Sequence, residues 1–205
     1  MIQRNEARKD SGKSNDKLGD AGRFLRSWAE KPLQMGSVTP SGRVLSRAIA
    51  NFVDPQSHGP VIEIGPGTGP VTQALIERGI AEERLVLVEY SVEFCDLLRR
   101  RFPKAKIIQG DAYALAKTLE GVLPTKAAAI VCGLPLLTKP EPVRIDLLAQ
   151  AFMLTQPNAP FVQFTYGLIS PIPLRKAFFT WKASPRIWLN VPPARVWAYR
   201  QLLKN

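Results

Sequence analysis

Four short apolar runs, at 61–64, 85–89, 105–109 and 127–132, alternate with stretches of helical periodicity at about 70–79, 91–102, 112–120 and 141–155. Runs of that length suit buried strands better than core helices. Parallel neighbours need a long crossover, and the helical stretches supply one. The pattern therefore predicts a parallel sheet covered by helices on both faces. "APFVQFTY" (159–166) adds a fifth strand. "RIWLNV" and "ARVWAYRQLL" read as two more, joined at Pro192 and Pro193. So short a connection makes that last pair antiparallel. At 205 residues the chain has material for one such core, not for a second domain of ordinary size.

Ahead of this core, residues 1–19 are polar and aperiodic and read as a flexible tail. Residues 20–56 carry two amphipathic helical patterns. The first sets Phe24, Leu25 and Trp28 on one stripe beside Arg23 and Arg26, and the second sets Val44, Leu45, Ala48, Ile49 and Phe52. Cys95 and Cys132 fall in apolar patterns and are expected as core thiols. His58 is the only histidine and falls in a surface loop, so no zinc-type spacing exists and no metal is expected.

The first strand runs into "EIGPGTGP", with Glu63 on the strand and Gly65, Gly67 and Gly69 in the turn. Missing side chains let a ligand lie against the backbone, and the helix that follows offers amide donors. The spacing is not the Gly-x-Gly-x-x-Gly of nicotinamide dinucleotide sites, and Pro70 removes an amide where a pyrophosphate wants one. S-adenosylmethionine has no pyrophosphate and fits better. Glu89, ending the second strand beside Tyr90, can accept from ribose hydroxyls, and Asp111, after the third strand beside Ala112, from an adenine amino group.

The block from Glu63 to Asp111 resembles class I S-adenosylmethionine-dependent methyltransferases, and residues 61–79 look especially like ribosomal RNA adenine dimethyltransferases. The resemblance implies a Rossmann-like α/β fold: a mostly parallel seven-stranded sheet, helices on both faces, an antiparallel last strand. It also makes 57–205 the cofactor-binding catalytic domain. Those RNA enzymes carry Asn/Asp-Leu/Ile-Pro-Tyr/Phe after the fourth strand, where the polar residue holds the target amine and the aromatic stacks on the base. Here the loop reads "CGLPLL", with Gly133 and Leu136 at those two positions. A base-stacking site without an aromatic is a poor one. The chain also leaves no room after this core for the helical RNA-binding domain those enzymes append.

A second resemblance runs from about 20 to 203. "FLRSWAEKPLQMGSVTPSGRVLSRAI", "GLPLL", "VQFTYG", "SPIP" and "NVPPARVW" are similar to bacterial phosphatidylethanolamine N-methyltransferases of the soluble, membrane-associated type. It implies methylation of phosphatidylethanolamine to its monomethyl and dimethyl forms and to phosphatidylcholine, with S-adenosylhomocysteine as the other product. The candidate substrate contacts are Leu134, Pro135, Tyr166 and Arg186. Tyr166 stands either for a catalytic hydroxyl at the headgroup or for an aromatic in the core, and Arg186 either for a lipid-phosphate ligand or for a solvated base. Tyr113 is a further hydroxyl candidate. An RNA adenine N6-methyltransferase without its appended domain and a catalytically silent adaptor remain as alternatives.

The net charge of +11 calls for an anionic partner, and no acidic residue follows Asp146. With a lipid substrate that partner is an anionic membrane surface rather than nucleic acid. The Phe24, Leu25, Trp28 stripe with Arg23 and Arg26 reads either as an interfacial helix or as one that packs on the domain. No apolar run approaches a membrane span, and the start lacks the apolar core of a secretory signal. The expectation is a cytoplasmic monomer held peripherally on the inner leaflet.

Overall fold

The computed structural model describes residues 40–175 and 178–202. The tail at 1–19 and the stripe of Arg23, Phe24, Leu25, Arg26 and Trp28 lie outside the described residues. The first described element, α1 (Pro40–Ala50), buries Leu45 and Ile49 from its expected stripe. There follow β1 (Val61–Ile64), α2 (Pro70–Glu77), β2 (Leu85–Glu89), α3 (Val92–Arg101) and β3 (Lys106–Gln109). Then come α4 (Leu115–Thr118), β4 (Ala129–Cys132), α5 (Glu141–Leu154), β5 (Phe161–Thr165), β6 (Phe179–Ala183) and β7 (Arg195–Gln201).

Among the described residues the strands form one seven-stranded sheet, in the order β3-β2-β1-β4-β5-β7-β6. β1 to β5 are parallel, and β7 lies antiparallel between β5 and β6. Ile62, Ile64, Val86, Val88 and Ile130 pack against Leu115 of α4 and Leu147, Leu148 and Phe152 of α5. The alternate side chains, Val61, Leu85, Leu87, Ala129 and Val131, meet Leu45 and Ile49 of α1, Leu75 of α2 and Leu98 of α3. Burial on both faces is why these strands read as continuous apolar runs. Helix α1 thus belongs to the same core as the sheet.

The sixth strand is not where the sequence pattern puts it. Residues 186–191 form a loop with a single bridge, Ile187 to Ala194, and the strand is "FTWKA", whose Phe179 to Ala183 pair with Gln201 to Trp197. Pro192 and Pro193 have no N–H to give a ladder, so pairing there goes no further than that one bridge. "FTWKA" sets aromatics two residues apart, the period of a strand. The expected helix at 112–120 is also shorter, a 3-10 turn at Ala112–Ala114 followed by α4.

Candidate active site at the carboxyl edge of the sheet

The order β3-β2-β1-β4-β5 brings the carboxyl ends of five parallel strands to one edge. The turn after β1 holds Gly65, Gly67 and Gly69 at φ of 68°, 56° and 84°, all left-handed. A Cβ on Gly65 would meet Leu134 Cδ2 at 2.6 Å, and one on Gly69 the Phe102 ring at 2.5 Å. A Cβ on Gly67 would meet nothing within 4 Å. Two of the glycines therefore make room for protein, and Gly67 leaves room for something else.

Glu89 and Asp111 face this space from the neighbouring strands. Glu89 Oε2 accepts from Gly67 N at 3.1 Å, and Oε1 accepts from Tyr90 N at 2.9 Å and Ser91 N at 3.0 Å. Three amides thus fix the carboxylate and occupy three of its roughly four acceptor positions. One is left for a ligand hydroxyl, so binding both ribose hydroxyls would displace an amide. Asp111 is exposed; its Oδ1 accepts from Tyr113 N at 2.8 Å. Its other oxygen makes no protein hydrogen bond among the described residues, and it suits an amino-group donor. A cleft of about 450 Å³ opens here, lined by Tyr90, Ser91, Val92, Gln109 and Gly110. Tyr90 stands out from it with its ring exposed. A larger groove, about 610 Å³, lies at the opposite edge around Arg84 and Lys106, away from the glycine turn.

Glu63 differs from the expectation of a direct ligand contact, and Ala112 turns its side chain inward. Glu63 is buried under the turn, where Thr72 Oγ1 of α2 donates to its Oε2 at 2.6 Å. Burial pushes its pKa up to about 7, against the Thr72 hydrogen bond, which lowers it; the Glu89 charge adds to the rise. Glu63 therefore supports the turn from below, and Ala112 is packed into the core beneath α5.

The loop after β4 closes the other side. A Cβ on Gly133 would lie 2.4 Å from the Gly65 carbonyl oxygen, so the two turns touch backbone to backbone. Leu134 is half-buried over Gly65, Pro135 is half-buried beside it, and Leu136 is turned into the core. Neither working position of the RNA-type loop presents a side chain to the cleft. Gln163 of β5 pins this loop: its Nε2 donates to the Leu134 carbonyl at 2.9 Å, while its Oε1 is buried with no partner. A lone amide within "FVQFT" is the signal that sequence reading passed over. Cys132 lies below the loop, buried, its thiol pushed up to about 12 by burial and so neutral. Cys95 is likewise a buried free thiol.

Tyr166 follows β5 at the same edge. It is half-buried, and its ring meets Phe164 edge-on at 5.5 Å. Burial raises its pKa, so it is a neutral phenol. Arg186, expected at a lipid phosphate, gives its guanidinium to backbone instead. Nη2 donates to the carbonyls of Tyr166 at 3.0 Å and Pro193 at 3.2 Å, and Nη1 donates to that of Gly167 at 3.4 Å. What it touches makes it a fastener between two loops. Across the cleft, Lys139 Nζ lies 4.8 Å from the centroid of the Tyr113 ring, which is half-buried. His58 is exposed at the far edge.

Residues 42–126 match the family model of the ribosomal RNA adenine dimethylases. The chain is 28% identical over 177 residues to an ornithine lipid N-methyltransferase of Singulisphaera acidiphila, covering 83% of this chain and 91% of that protein. To ribosomal RNA small subunit methyltransferase A of Verminephrobacter eiseniae it is 30% identical over 165 residues, 72% of this chain but 55% of that protein. To the corresponding Synechococcus enzyme it is 36% identical over 78 residues, spanning 24% of that protein. Among solved structures, an O-methyltransferase from Bacillus cereus in complex with S-adenosylhomocysteine superposes with a TM-score of 0.63 at 13% identity, over 92% of both chains. TrmN from Thermus thermophilus gives 0.58 at 15%, over 78% of this chain and 49% of that one.

Fold, cleft and relatives together define a class I S-adenosylmethionine-dependent methyltransferase. Residues 42–126, which hold the glycine turn, match the model of the ribosomal RNA adenine dimethylases, and 83% of the chain is similar to an ornithine lipid N-methyltransferase.

Proposed function

We propose that the protein methylates the amine of a phospholipid headgroup, with phosphatidylethanolamine as the acceptor, while attached to an anionic membrane surface. The observation that carries this reading is the loop after β4: the Gly65 carbonyl crowds Gly133, and Leu136 is buried, so no polar side chain and no ring are offered to a nucleobase. The near full-length likeness to a lipid N-methyltransferase supports it. A second reading, RNA adenine N6-methylation, draws on the family match over 42–126.

The cofactor, when bound, supplies an electrophilic methyl on a sulfonium. In this reading the lipid nitrogen arrives neutral and forms the N–CH₃ bond with its lone pair. The S–CH₃ bonding pair would stay with the cofactor's sulfur, and one N–H proton would leave to water. Glu89, held by three amides, and Asp111, with one oxygen open, position the nucleoside end, and Gly67 leaves the space for it. The Tyr166 phenol orients the headgroup by hydrogen bonding and is not a base at neutral pH, because burial keeps its proton on. Most of the rate is then owed to placing two reactants in line.

The test is transfer of labelled methyl to three acceptors side by side: phosphatidylethanolamine vesicles, ornithine lipid vesicles and ribosomal RNA. Label in phosphatidylethanolamine is the expected result. Label in RNA alone would overturn the lipid reading, and label in ornithine lipid alone would replace the headgroup.

A further inference from the structure

Beyond the cofactor cleft, one feature of the carboxyl edge is not used by the chemistry. Leu168 and Ile169, in the loop after β5, and Trp188, Leu189 and Val191, in the loop between β6 and β7, are 62–82% exposed. Large apolar side chains scattered singly on a surface mean little, but a contiguous group marks an interaction site. These five sit on two loops fastened to each other by Arg186, whose guanidinium spans from the second loop to the Tyr166 and Gly167 carbonyls of the first.

Both loops are held in shape by polar ties. Gly167 N donates to Thr165 Oγ1 at 2.9 Å, and the Ser170 hydroxyl donates to the Ile172 carbonyl at 2.6 Å. In the second loop Ile187 N donates to the Ala194 carbonyl at 2.7 Å. The buried Asn190 gives its Nδ2 to the Pro192 carbonyl at 2.7 Å. Leu168, Ile169, Trp188, Leu189 and Val191 therefore point outward from a braced platform.

Charge says what the platform meets. The chain carries +11 overall and has no carboxylate after Asp146, so neither loop brings a negative charge. Arg186 Cζ lies 5.8 Å from the Trp188 ring centroid, and exposed Lys182 stands on the strand leading into the second loop. Apolar tips with cations and no anions are the composition that enters the headgroup region of an anionic bilayer. The position agrees: the platform grows from the edge that carries Glu89, Asp111 and Tyr166.

We infer that the loops at 167–169 and 187–191 are a bilayer-docking platform which seats the active-site edge on an anionic phospholipid surface. This rests on the reading of the protein as a phospholipid methyltransferase. In docked form the cleft opens into the headgroup layer, and the acceptor reaches it without leaving the membrane.

The experiment uses the full chain and the double variant Leu168→Ser, Leu189→Ser, whose side chains are exposed and add nothing to the core. Co-sedimentation with phosphatidylethanolamine/phosphatidylglycerol vesicles is measured across a salt series. Methyl transfer is measured on the same vesicles and on dihexanoyl phosphatidylethanolamine dispersed below its micelle threshold. The variant should lose about tenfold in vesicle partitioning at every salt concentration, since apolar insertion is not screened. Vesicle turnover should fall with it, while turnover on the dispersed lipid stays within about twofold. Unchanged vesicle partitioning would overturn the platform and leave attachment to the stripe at Phe24 and Trp28. A change confined to self-association or to RNA binding would overturn it as well. If the parent methylates no lipid in any form, the functional reading fails, while co-sedimentation still decides whether the platform docks.

Discussion

Glu63 gives the stability of this protein a pH dependence of unusual sign. Its pKa of about 7 in the fold lies above its ordinary 4.5, so between those values the folded state keeps a proton that the unfolded chain has released. Stability should therefore fall as pH rises from about 4.5 to about 7, by an amount on the order of 3 kcal/mol, and then level off. Glu63→Gln stays neutral and still accepts from Thr72. Its urea midpoint should exceed the parent's at pH 8 and match it at pH 4; midpoints that run in parallel across the range would contradict the shift. The glycine turn offers a second residue-scale test. Gly67 and Gly121 both have positive φ, and a Cβ at either meets nothing within 4 Å. Alanine at either should cost about 1 kcal/mol of backbone strain. Only Gly67→Ala, at the cleft, should also weaken S-adenosylmethionine binding in calorimetry, by about tenfold or more, and equal affinities would take the cofactor away from that space. Tyr166→Phe removes a hydroxyl and keeps the ring, so lipid turnover should drop while cofactor affinity holds; wild-type turnover would make Tyr166 a packing residue alone.

Among the elements, β1, β2, β4 and β5 were legible because they lie inside the sheet and are buried on both faces, which makes each an apolar run that needs no partner to be recognised; β3, at the edge and partly in solvent, was read from Ile107 and Ile108 and from its place in the alternation. β1 and β2 lie at the positions the runs indicate. β6 was not legible in the same way: an edge strand buries little, and its place follows from which segment can pair with β7, a choice the proline pair makes by removing donors. The site divides along similar lines. Strand-end acids can be read from spacing, but the sinking of Glu63 under its turn and the diversion of Arg186 to carbonyls depend on where loops cross. Arg84 is another case. Its Nε donates to the Gly59 carbonyl at 2.9 Å, Nη1 to that of Pro55 at 3.1 Å and Nη2 to that of Ser57 at 2.5 Å, so one side chain holds the whole loop before β1. Arg84→Ala should cost roughly 2–3 kcal/mol, as the loss of charged hydrogen bonds to half-buried carbonyls does. Arg84→Lys should recover little, because an ammonium cannot span three acceptors in a plane. Urea unfolding checks both, and full rescue by lysine would mean that charge alone matters there.

For the molecule as a whole, a charge of +11 on one small core is a standing self-repulsion. The described ion pairs, such as Arg99 with Asp96 and Lys104 with Glu83, lie largely in solvent and offset little of it. Moderate salt should therefore raise the thermal midpoint by a few degrees, and chloride should do so nearly as well as sulfate at equal ionic strength. A midpoint that ignores chloride would contradict the screening account, since sulfate alone can stabilise through its exclusion from the protein surface. The crowding between position 133 and the Gly65 carbonyl bears on a different question, that of redesign. A side chain introduced at 133 has to push aside either its own loop or the turn after β1, so grafting a polar amide there is a change of two backbones and not of one residue, and a variant that gains the group without moving them should fold poorly.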